Sequence, residues 1–426
     1  MQRSFSRDSD PANWCGAIAI FFLALVWWRL AIPHQIYFDE VHYVNAARKQ
    51  LDHIRVNPEH PMFAKTVLAF AIEWLGDRSL VWRIPSAIGG GLGLFAFSRI
   101  VWFASGSARA AVIGAVLLAT NFFWFIHSRI AMLDMTMASL AMVAGWQIAA
   151  AIRLPHQGRW RLALAGVLMG LALGSKWSVA PLLALPGLAF LALKIRDNGW
   201  RFLWARNGGL VPGISLPEAG LWLGLMPLAV YWATYWPAFH WVARPVNPWD
   251  PIGWHKHMLM LQDSVKKPHP YRSVWYQWVG NWRAIWYLYK DVEGAQRGVV
   301  LIGNPFTMYA GLVALVWAMM EGVRRWRIDL LAFSALYVIS LMFWAFSGKP
   351  VQFLYHYLLP STFLMAILAL ALDDAGKRND RWRLLMPIGI GLSVVMFAVF
   401  YPIISAFPLC CGRPSFEFWM WLPRWR

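Results

Sequence analysis

The sequence is poor in cysteine, in acidic residues and in charge of any kind. It holds three Cys in 426 residues: Cys15 lies in an apolar run, and Cys410 and Cys411 are adjacent. Neither arrangement makes a disulfide framework or a thiolate metal shell. Charged residues are 14% of the chain, against about a quarter in a soluble domain. That scarcity excludes an ordinary soluble fold. Acids number 21 against 39 Lys and Arg, a net charge of +18. The basic residues are scattered over many short loops with no basic domain or arm, so nucleic acid is not the expected partner. Internal repeats, low-complexity linkers and a glycine-rich nucleotide loop are also missing.

What the chain has is apolar length. Hydrophobic residues make up 59% of it, with 29 Trp and 13 Tyr. Runs that suit a bilayer recur from end to end. About eleven spanning helices are expected, near residues 14–32, 84–102, 110–126, 131–151, 161–175, 178–193, 217–236, 299–320, 330–346, 353–372 and 384–407. The first run follows Arg3 and Arg7, lacks a small-residue cleavage site and reads as a retained helix. Residues 66–75 are apolar but too short to span, and read as an interfacial helix. The fold class is all-α integral membrane, with two long extracytoplasmic loops carrying interfacial helices. The expected divisions are an N-terminal catalytic module over 1–236 that includes the first outer loop at 33–83, a second outer loop over 237–298, and a C-terminal four-helix module with an outer tail over 299–426.

Orientation follows from the short loops. With the N-terminus cytoplasmic, the inner loops collect Arg109, Arg153, Arg159, Arg161, Lys194, Arg196, Arg201, Arg206, Arg324, Arg325, Arg327, Lys377, Arg378, Arg381 and Arg383. The short outer turns hold Arg129, Lys176 and Lys349. This is the positive-inside pattern. It implies the plasma (inner) membrane, an extracytoplasmic site and an extracytoplasmic C-terminus, with Trp419, Trp421 and Trp425 at the interface.

The polar residues converge on that outer face. The first outer loop carries Phe38-Asp39-Glu40-Val41-His42-Tyr43, two carboxylates just after a membrane helix. Adjacent helical residues point about 100° apart, so Asp39 and Glu40 need not share a target. A solvated helix cap is the bland alternative. His60-Pro61 with Lys65, Arg83-Ile84-Pro85-Ser86, Arg129 with Leu133-Asp134, and Gly174-Ser175-Lys176-Trp177 follow. Charges near membrane depth are costly and usually functional, although those at helix ends can snorkel. The second loop offers His269-Pro270-Tyr271, Trp275, Trp278, Trp282, Arg283, Trp286 and Tyr287. Aromatic rings there can face a sugar and Arg can fork onto phosphate, or the whole segment can be an amphipathic helix on the headgroups. Near the tenth helix come Lys349 and then Phe353-Leu354-Tyr355-His356-Tyr357. His255 and His257 lack the companions a metal shell needs, so no metal ligands are assigned and divalent-metal dependence is left open.

In this order and spacing, the motifs resemble those of protein O-mannosyltransferases over nearly the whole chain. The family belongs to the GT-C class of multi-pass glycosyltransferases. The resemblance implies a glycosyltransferase that moves a sugar, mannose by family, from a polyprenyl-phosphate carrier to Ser or Thr of exported proteins. Eukaryotic members carry a large β-trefoil insert in the second loop, for which this chain has no room. That makes it a compact bacterial-type relative and puts the protein acceptor in question. By resemblance Asp39 is the base, with Glu40 beside it. Arg129, Arg283, Lys176, Lys349 and His356 are the donor-phosphate candidates. His42, Tyr43, Lys65, Asp134, His269, Tyr271, Trp275 and Tyr355 are candidate substrate contacts. The lipid-linked donor is the only small-molecule requirement implied, and membrane lipids are the surroundings.

The chemistry is consistent with one base and a set of cations. A lipid phosphate is already a good leaving anion, so fixed cations and a single carboxylate suffice for an inverting displacement. Three alternatives stand beside this reading. The first is transfer to a lipid or envelope glycan, as in the aminoarabinose transferases of lipid A. The second is a lipid transporter or flippase, whose inverted repeats are not evident; Asn304-Pro305 interrupts only one helix near its outer end. The third is a non-catalytic assembly subunit.

Overall fold

The computed structural model describes residues 9–264, 269–409 and 415–426. Arg3, Arg7, Cys410 and Cys411 lie outside the described residues.

All eleven apolar stretches contain helix. The chain opens with α1 (Ala12–Trp27), then two helices of the first loop, α2 (Glu40–Leu51) and α3 (Phe63–Leu75). α4 (Ser79–Ser105), α5 (Ala108–Ala119), the short α6 (Phe122–His127), α7 (Leu133–Arg153), α8 (Gly158–Ser175) and α9 (Ala180–Asn198) follow. A broken helix comes next: α10 (Leu216–Gly220), a π-helical turn (Leu221–Leu225) and α11 (Met226–Ala233). The second loop holds α12 (Trp236–Phe239), α13 (Pro251–Asp263), α14 (Trp275–Val279) and a hairpin, β1 (Ile285–Val292) and β2 (Ala295–Leu301). Four helices complete the bundle: α15 (Pro305–Arg325), α16 (Ile328–Phe346), α17 (Leu358–Gly376) and α18 (Leu385–Ile404). Among the described residues, seven helices are long and apolar enough to cross a membrane by length and composition, and α1 and α5 are shorter apolar helices.

Packing follows residue size. α8 places Gly166, Gly170 and Gly174 against the broken α10–α11 helix. A Cβ at Gly166 would stand 2.0 Å from the Trp222 carbonyl oxygen, and one at Gly170 would stand 2.6 Å from that of Pro227. Small residues at a spacing of four let two backbones touch where lipid gives no hydrophobic drive. α17 is the enclosed centre, with every residue from Leu358 to Leu370 buried. The short helix α3 has the two-faced character expected of residues 66–75. Leu68, Ala69 and Ile72 are buried, while Phe70, Trp74 and Leu75 are exposed.

Two features add to the expected all-helical picture. The residues expected to begin a helix at 299 form the end of β2 instead. Asn304 then caps α15, accepting from the backbone N–H groups of Phe306 and Thr307, with Pro305 in the first helical position. Asn304-Pro305 therefore starts a helix rather than interrupting one. The C-terminal tail is also part of the core. Trp425, expected at the interface, is 2% exposed, and its indole Nε1 donates to the Asn281 carbonyl at 2.8 Å. The Ala406 and Leu409 N–H groups donate to Gly298 and Gln296 of β2.

Candidate active site

The site is built on the loop between α1 and α2, and two buried arginines shape that loop. The last carbonyls of a helix have no intrahelical partner. Arg129 satisfies those of α1: its Nη1 lies 2.5 Å from the Val26 oxygen and 2.9 Å from that of Trp28, and its Nη2 reaches Ser405 at 3.3 Å. Arg83, fully buried in α4, donates from Nη1 to Leu30 and Pro33, each at 2.9 Å. Its other nitrogens grip Glu40, Nε to Oε1 at 2.8 Å and Nη2 to Oε2 at 3.0 Å. Glu40 also accepts from the backbone N–H groups of Ala131 at 3.1 Å and Tyr37 at 3.3 Å.

These bonds separate the two neighbouring acids. Glu40 is 0% exposed and both of its oxygens are occupied, so it braces the loop and has no free oxygen for an acceptor proton. Asp39 is half-buried at the N-terminus of α2, and among the described residues its carboxylate has no hydrogen-bond partner. Burial pushes the Asp39 carboxyl up to about 6, against the pull of Lys176, His42 and Lys349; Asp134 pushes it the same way as burial. A carboxyl with that affinity is suited to take a proton near neutrality.

The cations around Asp39 are of two kinds. Lys176, at the end of α8, places its ammonium 2.7 Å from both oxygens of Asp134 on α7 and 4.8 Å from the ring centre of Tyr355. Asp134 already neutralises it. Lys349 lies in the turn between α16 and α17 and makes no ion pair among the described residues. Burial, helped by Lys176, lowers its ammonium to about 8, while Asp134, Asp39 and Glu59 act to raise it. Gln352 braces that turn by donating to the Trp344 carbonyl at 2.9 Å. Of these two lysines, Lys349 is the one without a carboxylate partner among the described residues.

Three aromatic and imidazole groups complete the walls. The His356 ring lies between Trp278 and Trp344, with centroids 5.9 and 3.6 Å away. Its Nδ1 lies 3.1 Å from the Phe353 backbone nitrogen and 2.9 Å from the Phe353 carbonyl oxygen, so the backbone of Phe353 fixes the ring. His60 packs edge-on to Tyr43 at 6.0 Å. Burial pushes the His60 imidazole well below its ordinary value, and Lys176, Lys349, Lys65 and His42 push the same way. Tyr287 stacks on Phe38 at 3.8 Å with its hydroxyl 3.4 Å from His127 Nε2. Tyr287 sits where the β1–β2 register slips, between Trp286, paired with Val300, and Leu288, paired with Val299. A β-bulge of this kind re-aims a side chain.

Several sequence candidates fall elsewhere. Arg129 is spent on backbone carbonyls, so it is an anchor and not a free phosphate contact. Lys65 is fully buried, and its ammonium donates to the carbonyls of Asn57 at 2.7 Å and His60 at 2.9 Å. Burial lowers it to about 7. It therefore holds the turn that presents His60 rather than meeting substrate directly. Arg283 Nη2 donates to the Pro270 carbonyl at 2.5 Å. That bond and the contacts of His269 with Phe353 at 5.0 Å and with Tyr271 at 5.8 Å group Arg283, His269 and Tyr271 in the second loop next to Phe353, and Trp275 opens α14. His42 is exposed and within electrostatic reach of Asp39. His60 and His127 join the site without a role assigned from the sequence, and Tyr287 joins it from among the second-loop aromatics. The His60-Pro61 pair was visible there, but nothing in the sequence reveals the bulge at Tyr287. Among the described residues no three His, Cys, Asp or Glu are grouped to hold a metal ion.

Comparison with known proteins finds matches along almost the whole chain. Family models described as dolichyl-phosphate-mannose-protein mannosyltransferase match residues 16–90 and 59–211. A model of the C-terminal four-transmembrane region of protein-O-mannosyltransferase matches residues 250–425. The chain belongs to the protein O-mannosyltransferase family. It is a membrane glycosyltransferase with a GT-C fold. Among the relatives of this mannosyltransferase chain is the polyprenol-phosphate-mannose–protein mannosyltransferase of Mycolicibacterium smegmatis strain MKD8, 27% identical over 91% of this chain and 87% of that protein. The enzyme of the same name from Corynebacterium glutamicum is 27% identical over 91% and 88%. In fold, the chain is similar to the S. cerevisiae protein O-mannosyltransferase Pmt1-Pmt2 complex bound to the sugar donor. That likeness has a TM-score of 0.81 and 14% identity and covers 98% of this chain and 93% of that one. ArnT from Cupriavidus metallidurans bound to undecaprenyl phosphate gives a TM-score of 0.60 and 16% identity, covering 93% and 66%.

Proposed function

We propose that this protein O-mannosyltransferase transfers mannose from a polyprenyl-phosphate carrier to a Ser or Thr hydroxyl of an exported protein, with inversion, and that Asp39 is the base. The observation that carries the reading is the contrast between Asp39, unpartnered with a raised proton affinity, and Glu40, saturated by Arg83 and two backbone N–H groups. The acceptor oxygen attacks the anomeric carbon as the bond from that carbon to the phosphate oxygen breaks. The hydroxyl proton passes to Asp39, and the electron pair leaves with the polyprenyl phosphate. Lys349 faces the phosphate as a free cation. His356 is a second candidate donor to the leaving oxygen when its ring proton is on Nε2, because fixed donors aimed at developing charge lower the barrier most. Lys176 is held by Asp134 and sets the field around Asp39. The names of the relatives support the donor and the acceptor, and the loop charges support an extracytoplasmic site in the plasma membrane. A lipid tail held in the bilayer would let the headgroup reach the site without a nucleotide-binding loop.

The test is reconstitution in lipid with polyprenyl-phosphate mannose and a Ser/Thr peptide from an exported protein. Transfer to the hydroxyl, absent with GDP-mannose alone, is the expected result. Turnover of the nucleotide sugar without a polyprenyl carrier would overturn the donor assignment. Transfer only to envelope lipid or glycan would overturn the acceptor.

A further inference from the structure

At the membrane face opposite the active site, the turn after α9 forms a small basic and aromatic pocket that the reaction does not use. α9 begins three residues after Trp177 and runs 19 residues, about 28 Å at 1.5 Å per residue, close to the thickness of the hydrocarbon core. Its far end therefore lies a bilayer's depth from Lys176. There the backbone folds over Lys194, which is fully buried and donates to the carbonyls of Ala205, Asn207 and Gly208 at 2.9, 3.0 and 3.1 Å. Gly209, with φ +76°, lies so close that a Cβ would meet the Lys194 side chain at 2.7 Å. The segment is thus a built structure.

Its outer surface is unusual. Trp200 and Trp204 are 83% and 74% exposed. They line a cavity of about 740 Å³ with Asn198, Arg201, Leu203 and Asn207. Arg201 lies 4.9 Å over the Trp200 ring. The one acid of the segment, Asp197, is taken by Arg196 at 2.8 Å and the Gly209 N–H at 2.8 Å. Arg201 and Arg206 are exposed and have no acidic partner among the described residues.

We propose that this pocket binds the headgroup of an anionic phospholipid in the leaflet opposite the active site. Arg201, which lines the cavity, and the exposed Arg206, flanked in sequence by the lining residues Ala205 and Asn207, offer a phosphate two uncompensated guanidiniums, and Arg presents phosphate a planar fork. The indole and Leu203 walls suit the glycerol and first acyl carbons, as interfacial Trp does generally. A soluble phosphate would gain nothing from those walls. A polyprenyl phosphate bound here would sit a membrane's depth from Asp39 and Lys349.

The experiment uses the full chain, delipidated in detergent and titrated with phosphatidylglycerol, phosphatidylcholine or a polyprenyl phosphate, with bound lipid read by native mass spectrometry. Phosphatidylglycerol should be retained over phosphatidylcholine. Each basic residue at a membrane surface contributes enough that R201A/R206A should lose retention about tenfold or more. R201K/R206K, which keeps the charge without the fork, should keep only part of it, and Asp39→Asn should keep all of it. Neither guanidinium makes a hydrogen bond among the described residues, so the variants should fold; if R201A/R206A unfolds, W200A/W204A carries the same test with the charges intact. Equal retention of the two phospholipids would overturn the proposal. So would wild-type phosphatidylglycerol binding by R201A/R206A, or a polyprenyl phosphate as the lipid whose binding depends on these arginines.

Discussion

Arg83 holds Glu40 through two of its nitrogens, at 2.8 and 3.0 Å, and both side chains are 0% exposed. Removing one member of a buried pair leaves the other charge uncompensated, at a cost of about 3–5 kcal/mol. Glu40→Gln should therefore lower thermal stability strongly in detergent, and activity should fall with the folded fraction. The sequence alone would give this change a milder effect than Asp39→Asn. A Glu40→Gln protein with normal melting and normal transfer would show that the pair does not brace the loop.

Asp39→Asn should behave in the opposite way. The ionised Asp39 carboxylate is disfavoured by burial, so the neutral amide should not lower stability above pH 6. Transfer should fall by about 10²–10⁴, the usual worth of a positioned base. Donor affinity should hardly change, because the base acts on the acceptor. Melting temperature, donor binding and turnover measured on one preparation separate these effects. Near-normal transfer would make Asp134 the acid to examine next.

The pH profile of transfer should be bell-shaped. Asp39 must be ionised to accept a proton, so the rate rises with pH through about 6. Lys349 must be protonated to hold phosphate, so it declines through about 8. Lys349→Met should remove the alkaline limb, and it should weaken donor binding by about 10–100-fold if the lost contact is a charge-assisted hydrogen bond. An unchanged alkaline limb in that variant would assign the limb to another group.

Arg129→Ala separates an anchor from a phosphate contact. Its loss orphans carbonyls of Val26, Trp28 and Ser405, each at about 1–3 kcal/mol when buried. The expected outcome is a destabilised protein whose folded fraction binds donor with unchanged affinity. Weakened donor binding in a stable protein would return Arg129 to the phosphate.

Topology is checked separately. A reporter fused after Arg426 should be active outside the cytoplasm, and one in the 194–213 turn should be active inside. Cytoplasmic activity of the first fusion would invert the assignment drawn from loop charges.

The apolar runs were legible because the bilayer demands long continuous stretches, and each one contains helix. The polar site was legible as a set of residues and illegible as a network. Asp39 and Glu40 could be separated by the 100° step of a helix, but no local pattern says that Glu40 meets Arg83 from α4. Lys176 and Asp134 were both visible as charges near the same face. Their pairing, which leaves Lys349 as the free cation, depends on how α7 and α8 meet. The second loop misled most. Its Trp, Tyr and Arg residues are equally at home in an interfacial helix, and the hairpin with its bulge at Tyr287 depends on pairing with a strand read as the start of the next span.

The docking of Trp425 has a consequence for the order in which the protein matures. The hairpin that aims Tyr287 rests on the C-terminal tail: Trp286 Nε1 donates to the Trp425 carbonyl at 3.0 Å, and the Ala406 and Leu409 N–H groups both donate to β2. During translation these residues leave the ribosome long after the loop bearing Asp39. The wall that holds Tyr287 therefore closes late, and a nascent chain should remain inert until that segment has seated its indole.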